Sequence, residues 1–419
     1  MEQDSPTGAR TGLVVAALAG AVFVVLAVVL VPWHWFPGEH VHAVADDSVF
    51  TKAQIEHNEH VGWMFRLPSW ANLAIGLGVS LWLGLSKRGS RIVQRMPGPW
   101  WTQVLLATGV LTVIVWVAQL PLSARGQQVA RSEGLSSQGW GSWLLDGLIG
   151  TGVAWAFTAI GVLVVLAIAR RAPRTWPAWA AAAGACLAMI GSFVYPVVVE
   201  PLFNDFTSLP DGRLRTEIFA LAEKEKVPID DVLVADASRR TTTLNAYVSG
   251  FGSTRRVVLY DNVLTDLPRA ETEVIVAHEL GHAKHDDVLV GTVLGAVGSA
   301  SGIGLLGWLL SRRRLLDRAG ADGPGDPRVI PLVLALAAVG AFVASPVQNT
   351  ISRAVEARAD LTSLEATGDP DTFVQMQRQL TLKSLADPTP PRVSQFWFGS
   401  HPTVLQRVGL ARLFERVGE

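Results

Sequence analysis

Two histidines and a glutamate in the stretch HELGH have the types and the spacing that suit metal-assisted hydrolysis. His278 and His282 are four residues apart, so on a helix both imidazoles project from one face and can bind the same ion. Glu279 stands beside the first histidine, where a carboxylate can take a proton from water. This spacing is typical of zinc sites with two ligands and a general base. The alternative is a polar turn of an ordinary helix, but the apolar residues before it predict a buried helix, where unpaired polar groups are costly.

A catalytic zinc ion takes three protein ligands and keeps one position open for water. In the metzincins the third ligand is a histidine six residues after the second, and Val288 occupies that place here, which excludes that class. His285 is three residues past His282, on a neighbouring part of the helix. We expect His285 to have a supporting or surface role rather than to be a ligand.

The segment SRAVEARAD supplies a candidate for the third ligand. Glu356 and Asp360 are again four residues apart and share a helix face. Glu356 is expected to bind the metal, and Asp360 to accept the ring N–H of a ligating histidine, which fixes its tautomer. The alternative is a solvated helix on which Arg353 and Arg358 neutralise the two carboxylates.

Composition indicates that these residues belong to a membrane protein. Of the 419 residues, 49% are hydrophobic and 17% are charged, and tryptophans cluster at the ends of long apolar runs. Runs near the length of a membrane span lie at about 12–32, 69–86, 101–121, 143–168, 176–199, 288–311 and 329–347. The first run lacks a small-residue cleavage site after it, so we interpret it as a retained span rather than a signal peptide.

The formal net charge of −1 gives no reason to expect a nucleic-acid partner. The predicted fold is mainly α: about seven transmembrane helices around a zinc metallopeptidase domain with a small β-sheet.

The spans divide the chain into four parts. Residues 1–199 form an N-terminal membrane region with five spans, and 200–287 a zinc peptidase segment with strands and the HExxH helix. Residues 288–347 form two further spans, and 348–419 the C-terminal helical part of the catalytic domain. Within the second part, DVLVAD, LNAYVSGFGS and TRRVVLYDNVL are predicted strands, and GRLRTEIFALAEKEKV is a predicted helix. The segment SRRRLLDRAGADGPGDPR, between the last two spans, is a predicted loop.

HELGH, the later SRxxExxAD and a final HPTVLQRV, on a seven-span chain, resemble the type I CAAX prenyl endopeptidase family. This family consists of integral-membrane zinc metalloproteases of the gluzincin kind, and the chain looks like a prokaryotic member. The resemblance implies one zinc ion, with His278, His282 and Glu356 as ligands and Glu279 as base. It also implies that His401 stabilises the transition state, that Arg407 supports the site, and that Asn245, Ala246 and Tyr247 hold an extended substrate. Purely structural alternatives remain open for these residues: His401 as a helix cap, Arg407 in a surface ion pair and Asn245 as an ordinary turn residue.

Two functions follow as hypotheses. The first is a membrane-embedded zinc endopeptidase of the prokaryotic cell membrane that acts on CAAX-type prenylated or other membrane-associated polypeptides. The alternative is a membrane binding, transport or chaperone-like protein with a structural or regulatory metal site. Glu279 favours the first hypothesis, because a structural zinc needs no base beside its ligands.

Two features lie outside this scheme. The first loop is rich in histidine, with His34, His40, His42, His57 and His60, and either binds a second metal or is simply solvated. The N-terminus and the even-numbered loops carry 13 Lys and Arg residues against 4 in the short odd-numbered loops. The positive-inside rule then places the N-terminus in the cytoplasm and the zinc segment outside. The family resemblance implies instead a site that faces the cytosol, so the side of the membrane stays open.

Overall fold

The computed structural model describes residues 8–250 and 252–418. Long helices dominate the first half of the chain, and five of them cover most of the first five predicted spans. Several are longer than the apolar run that predicted them, because polar turns continue the same helix beyond the apolar stretch. The helices are α1 (Ala9–Leu30), α2 (Lys52–Gly84), α3 (Lys87–Gln94), α4 (Trp100–Ser132), α5 (Trp140–Arg171) and α6 (Trp176–Val194).

Helix α2 begins well before the apolar run expected at 69–86. A capping box starts it: Gln54 N donates to Thr51 Oγ1 over 3.3 Å, and Thr51 N donates to Gln54 Oε1 over 3.0 Å. The assignment of His57 and His60 to the first loop was therefore wrong, since both lie on α2.

The middle of the chain folds into a small mixed sheet with helices against it. After α6 come β1 (Phe206–Ser208), α7 (Arg213–Lys224), β2 (Asp231–Ala235), β3 (Ala246–Ser249), β4 (Arg256–Tyr260), α8 (Asp261–Asp266) and α9 (Arg269–Lys284).

The strand order is β1-β2-β4-β3, with β2 and β4 parallel and the outer pairs antiparallel. Strand β3 is thus an edge strand. The register pairs Ala246 with Leu259 and Ser249 with Arg256. The predicted strand TRRVVLYDNVL was too long, because its last part forms α8, held by Ser238 N donating to Asp261 Oδ1 over 2.8 Å. Strand β1 was not predicted.

The remaining helices include the last two predicted spans and form the C-terminal part of the chain. They are α10 (Asp287–Leu309), α11 (Arg313–Ala319), α12 (Ile330–Thr367), α13 (Pro370–Lys383), α14 (Arg392–Phe398) and α15 (Val404–Gly418). Helix α11 lies inside the segment predicted to be a loop. Helix α12 runs without a break through residues 347 and 348, so the last span and the start of the C-terminal part are one helix. Seven helices in the described chain are long and apolar enough to cross a membrane, as expected.

The core beneath the sheet fixes α9 against the strands and the C-terminal helices. Fully buried residues of this core include Val257, Val276, Leu280 and Phe373 from β4, α9 and α13. Helix α9 also approaches α12 closely at Gly281, where a Cβ atom would lie 3.1 Å from Thr362 Cβ. A side chain at position 281 would therefore require Thr362 or the α12 backbone to shift by a few tenths of an ångström, and glycine allows the two helices to pack closely without this shift.

Two contacts tie the membrane helix α2 to the chain after α13. Asn58 Nδ2 donates to the Ala386 carbonyl over 2.9 Å, and the Arg66 guanidinium lies 2.6 Å from Asp387 Oδ2. The Arg66 and Asp387 side chains are 13% and 2% exposed, so this ion pair is sheltered from water. The segment after α13 is therefore held against α2 although the two are more than 300 residues apart in sequence.

The basic loops meet at the other end of the bundle. Arg170 Nη1 donates to the Gly325 carbonyl over 2.8 Å, and Thr11 Oγ1 donates to the Arg174 carbonyl over 3.0 Å. Helices α3 and α11 pack together beside them. We call this cluster of α3, α11, 170–174 and 312–328 the basic end.

Candidate active site

Three side chains converge at the junction of α9 and α12. His278 Nε2 lies 3.2 Å from His282 Nε2 and 3.2 Å from Glu356 Oε2, and His282 Nε2 lies 3.6 Å from Glu356 Oε1. Of the groups of histidine, cysteine and acidic residues in the described chain, this is the one with three potential ligand atoms close together, all within 4.8 Å. The spacing of four residues on α9 places the two imidazoles on the same helix face. The close approach of α12 to α9 at Gly281 brings Glu356 next to them.

The donor set fits a tetrahedral metal ion. Ligand atoms at about 2.0–2.1 Å from tetrahedral zinc stand roughly 3.3–3.4 Å apart, close to the separations of these three groups. Glu356 Oε2 is buried and accepts no hydrogen bond from the described residues, although it faces His278 Nε2. Burial lowers the pKa of His278, but Asp360 and Glu356 outweigh it and raise the pKa to about 10. The two carboxylates therefore stabilise positive charge at this position. A bound metal cation would supply that charge as well as a protonated His278 does.

Asp360 and Arg407 stand behind His278. Asp360 Oδ1 lies 2.9 Å from His278 Nδ1, with the ring turned away from an ideal donor direction. Arg407 Nε donates to Asp360 Oδ2 over 2.8 Å, and Arg407 Nη2 contacts Oδ1 as well. The Asp360 side chain is fully buried and that of Arg407 is 13% exposed, so the contact is not the surface ion pair that was the alternative. The carboxylate is thereby held between the ring and a cation.

A second carboxylate, which the sequence did not single out, stands behind His282. Asp287 Oδ2 lies 2.9 Å from His282 Nδ1, and Arg358 contacts Asp287 Oδ1. The Asp287 side chain is 6% exposed. Each histidine thus has its own carboxylate and each carboxylate its own arginine. The only sign of this contact in the sequence was that an aspartate follows His282 by five residues. An aspartate at the start of a helix is also common without such a contact, because it interacts favourably with the helix dipole.

Glu279 is partly buried next to the three converging side chains. Burial raises its pKa above the ordinary carboxyl value, and the adjacent His278 and His282 act in the opposite direction. His285, by contrast, points to Thr362, with 3.3 Å between His285 Nε2 and Thr362 Oγ1. It lies outside the converging group, as expected.

His401 reaches the group from the loop between α14 and α15. Its Nε2 lies 3.3 Å from Glu356 Oε2, and its Nδ1 lies 2.9 Å from Ser400 Oγ. Gln395 Nε2 donates to the His401 carbonyl over 2.7 Å and holds the loop. The His401 side chain is 56% exposed, so this ring stands on the open side of the group.

The expected substrate segment coincides with the edge strand. Asn245 is exposed just before β3, Ala246 is buried within it, and the Tyr247 hydroxyl donates to Glu200 Oε2 over 3.2 Å. Strand β3 packs against α9, the helix of the two histidines, and within the described part of the chain it is paired on one side only. Its unpaired edge can therefore accept another extended chain close to the converging group.

The histidines near the N-terminus form no comparable group in the described residues. His57 Nε2 lies 3.9 Å from Glu133 Oε2, at the limit of an ion pair, and both side chains are partly exposed.

Comparisons with known proteins match most of the chain. Residues 208–413 match the model of peptidase family M48, and 34–205 match that of the CAAX prenyl protease N-terminal region of five membrane helices. The uncharacterized metalloprotease YhfN of Bacillus subtilis is 31% identical over 312 residues, which cover 74% of this chain and 73% of that protein.

More distant relatives agree in family and fold. CAAX prenyl protease 1 of Saccharomyces cerevisiae is 28% identical over 189 residues, or 45% of this chain and 42% of the yeast protein. The crystal structure of S. mikatae Ste24p superposes with a TM-score of 0.77 at 19% identity and covers 96% of this chain and 99% of that one. The fold expected from the sequence is thereby confirmed. The chain belongs to peptidase family M48 and is a multi-pass membrane metalloprotease.

Proposed function

We propose that this chain is a zinc-dependent endopeptidase whose metal ion is held by His278, His282 and Glu356. The observation that carries the proposal is the convergence of these three side chains with Glu279 beside them. Two imidazoles and a carboxylate suit zinc, which binds nitrogen and oxygen ligands at tetrahedral sites. In the described residues a fourth protein ligand does not join the group, which leaves a position for water, as catalysis requires.

Each neighbouring residue has a definite role in this scheme. Zinc, when bound, supplies the Lewis acidity that makes water nucleophilic near neutral pH and polarises the scissile carbonyl. Glu279 takes the proton of the attacking water and returns it to the leaving amine. His401 donates a hydrogen bond to the oxygen on which negative charge develops.

The supporting residues hold these groups in place. Asp360, fixed by Arg407, orients His278 so that Nε2 is free to bind metal. Arg407 therefore acts through Asp360 and is a positioning residue. The main chain from Asn245 to Tyr247 holds the substrate as an added strand, with little dependence on its side chains.

The substrate class is inferred from the membrane setting and from the relatives. We propose membrane-associated polypeptides as substrates, among them CAAX-type prenylated chains, because several relatives are CAAX prenyl proteases. The proposed location is the prokaryotic cell membrane. A purely structural metal site is disfavoured because Glu279, a carboxylate beside the ligands, serves no purpose there.

One experiment tests the proposal. Detergent-purified protein is incubated with two peptides that differ only in farnesylation of a C-terminal CaaX cysteine, and bound zinc is measured in the same samples. We expect wild type to cleave and Glu279→Gln to retain zinc without cleaving, and the ratio of the two rates to give the contribution of the prenyl group. A protein that neither cleaves nor holds zinc refutes the proposal.

A further inference from the structure

A pocket of about 560 Å³ lies between α6, α10, α12 and the edge strand β3. Most of its wall is uncharged, and small residues such as Gly191 and Gly295 leave room between the two helices. A hydrogen bond of 2.8 Å between Ser192 Oγ and Thr292 Oγ1 bridges the helices at its side. We call it the α6–α10 pocket.

Three elements of the wall of the α6–α10 pocket lead from it toward the proposed catalytic group. Val248 and Ser249 of β3 form one wall, so a chain added to that edge passes the pocket. Val288 forms another and directly follows Asp287, which contacts His282. Gln348 forms a third and precedes Glu356 by eight residues, about 12 Å along α12. A side chain of a substrate held on β3 can therefore reach this pocket.

Glu200 is the one charged residue in the described wall. Its carboxylate accepts a single side-chain hydrogen bond from the described residues, from the Tyr247 hydroxyl over 3.2 Å. Arg256, which pairs with Ser249 across the sheet, is close enough to be felt electrostatically but is not an ion-pair partner of Glu200. Because an ionised carboxylate offers about four acceptor sites, Glu200 retains acceptor capacity at the wall of the pocket.

We infer that the α6–α10 pocket binds a basic side chain, lysine or arginine, of the substrate residue that lies over it, with Glu200 as the counter-charge. The uncharged walls take the aliphatic part of such a side chain, while its cationic end meets the carboxylate. An acidic residue at the same position is rejected, since like charges in a sheltered pocket repel. This inference deepens the proposed function and rests on it, because it assumes that a peptide lies along β3.

The test uses a cleaved peptide in which each position on either side of the cut is replaced in turn by lysine, norleucine or glutamate. Norleucine has the aliphatic chain of lysine without the charge. At one position we expect wild type to show a kcat/KM for lysine about tenfold above that for norleucine, as a charge-assisted hydrogen bond gives. Glu200→Gln, which keeps the acceptor for Tyr247, brings that ratio to about one. Glu223→Gln, on the exposed face of α7, keeps the tenfold ratio.

The outcomes separate this inference from the proposed function. If wild type cleaves the lysine and norleucine peptides equally at every position, or if Glu200→Gln keeps the preference, the inference fails while the peptidase assignment stands. If no peptide is cleaved, the proposed function fails, and the pocket is tested by binding instead. In that case the affinity of labelled lysine and norleucine peptides is measured by fluorescence anisotropy on wild type and Glu200→Gln. A lysine preference lost in Glu200→Gln supports the pocket, and equal affinities overturn it.

Discussion

Replacing Asp287 with asparagine should weaken zinc binding without removing a ligand. Asp287 Oδ2 lies 2.9 Å from His282 Nδ1, and Oδ1 of the same carboxylate contacts Arg358. An asparagine has one oxygen for these two donors. If the oxygen turns to the cationic Arg358, the NH₂ group faces His282 Nδ1 and favours the tautomer with its proton on Nε2. That tautomer cannot bind metal through Nε2, the atom that points to His278 and Glu356.

The size of the effect follows from this competition. Loss of an outer hydrogen-bond partner of a metal-binding histidine weakens metal affinity by about 10- to 100-fold. Because Asp287→Asn both removes the acceptor and stabilises the wrong tautomer, we expect a value near the upper end, about 2.7 kcal/mol. The zinc Kd is measured by titrating purified protein against a fluorescent zinc chelator of known affinity.

Asp286→Asn is the matched control. The Asp286 carboxylate pairs with Arg255 at 2.6 Å rather than with His278 or His282, and asparagine accepts its positive φ of 52° readily. The control should therefore bind zinc as wild type does. Equal zinc affinities of Asp287→Asn and wild type would show that the carboxylate does not position His282, and the reasoning would be wrong.

Three further predictions address the catalytic roles and the membrane side. Glu279→Gln should lower kcat by about 10²- to 10⁴-fold with full zinc content, and a loss of zinc instead would argue for a structural role. His401→Ala should lower kcat by about 10²- to 10³-fold with KM little changed, and a change in KM alone would contradict its role toward the oxyanion. The basic end should face the cytoplasm. In a Cys186→Ala background, an impermeant maleimide added to intact cells should label Asp211→Cys and spare Gln94→Cys on α3, and the opposite pattern would refute the topology.

The local signals in the sequence predicted those parts of the site that depend on helix periodicity. HELGH fixed the positions of His278, Glu279 and His282 on one helix, and the same spacing selected Glu356 and Asp360. The convergence of α9 and α12 was not visible in either segment, because the contact at Gly281 joins residues about 80 positions apart. Asp287 was missed for the same reason, since its function depends on the direction of the chain after α9 ends.

The errors in the fold also have physical causes. Hydropathy detects only the apolar part of a helix, so the polar start of α2 was taken as loop although the capping box at Thr51 begins the helix. The residues DNVL were included in the predicted strand because they follow TRRVVLY, which contains the β-branched residues, but Ser238 binds Asp261 by both its N–H and its hydroxyl and favours a helical turn there. Strand β1 has three residues and exists only because it pairs with β2.

Helix α12 fixes the distance between its apolar, membrane-spanning part and Glu356 in the proposed catalytic group. Its apolar run ends near residue 347, and Glu356 lies nine residues farther along the same unbroken helix, about 14 Å along the helix axis from the end of that run. That distance equals the reach of roughly four residues of extended chain. For the proposed membrane-associated substrates, a bond about four residues from a membrane anchor can therefore reach Glu356 while the anchor stays in the lipid, whereas cleavage beside a farnesylated CaaX cysteine requires the anchor to move out of the lipid toward Glu356. Lengthening or shortening α12 by one turn after residue 347 would shift the preferred distance between anchor and cut accordingly.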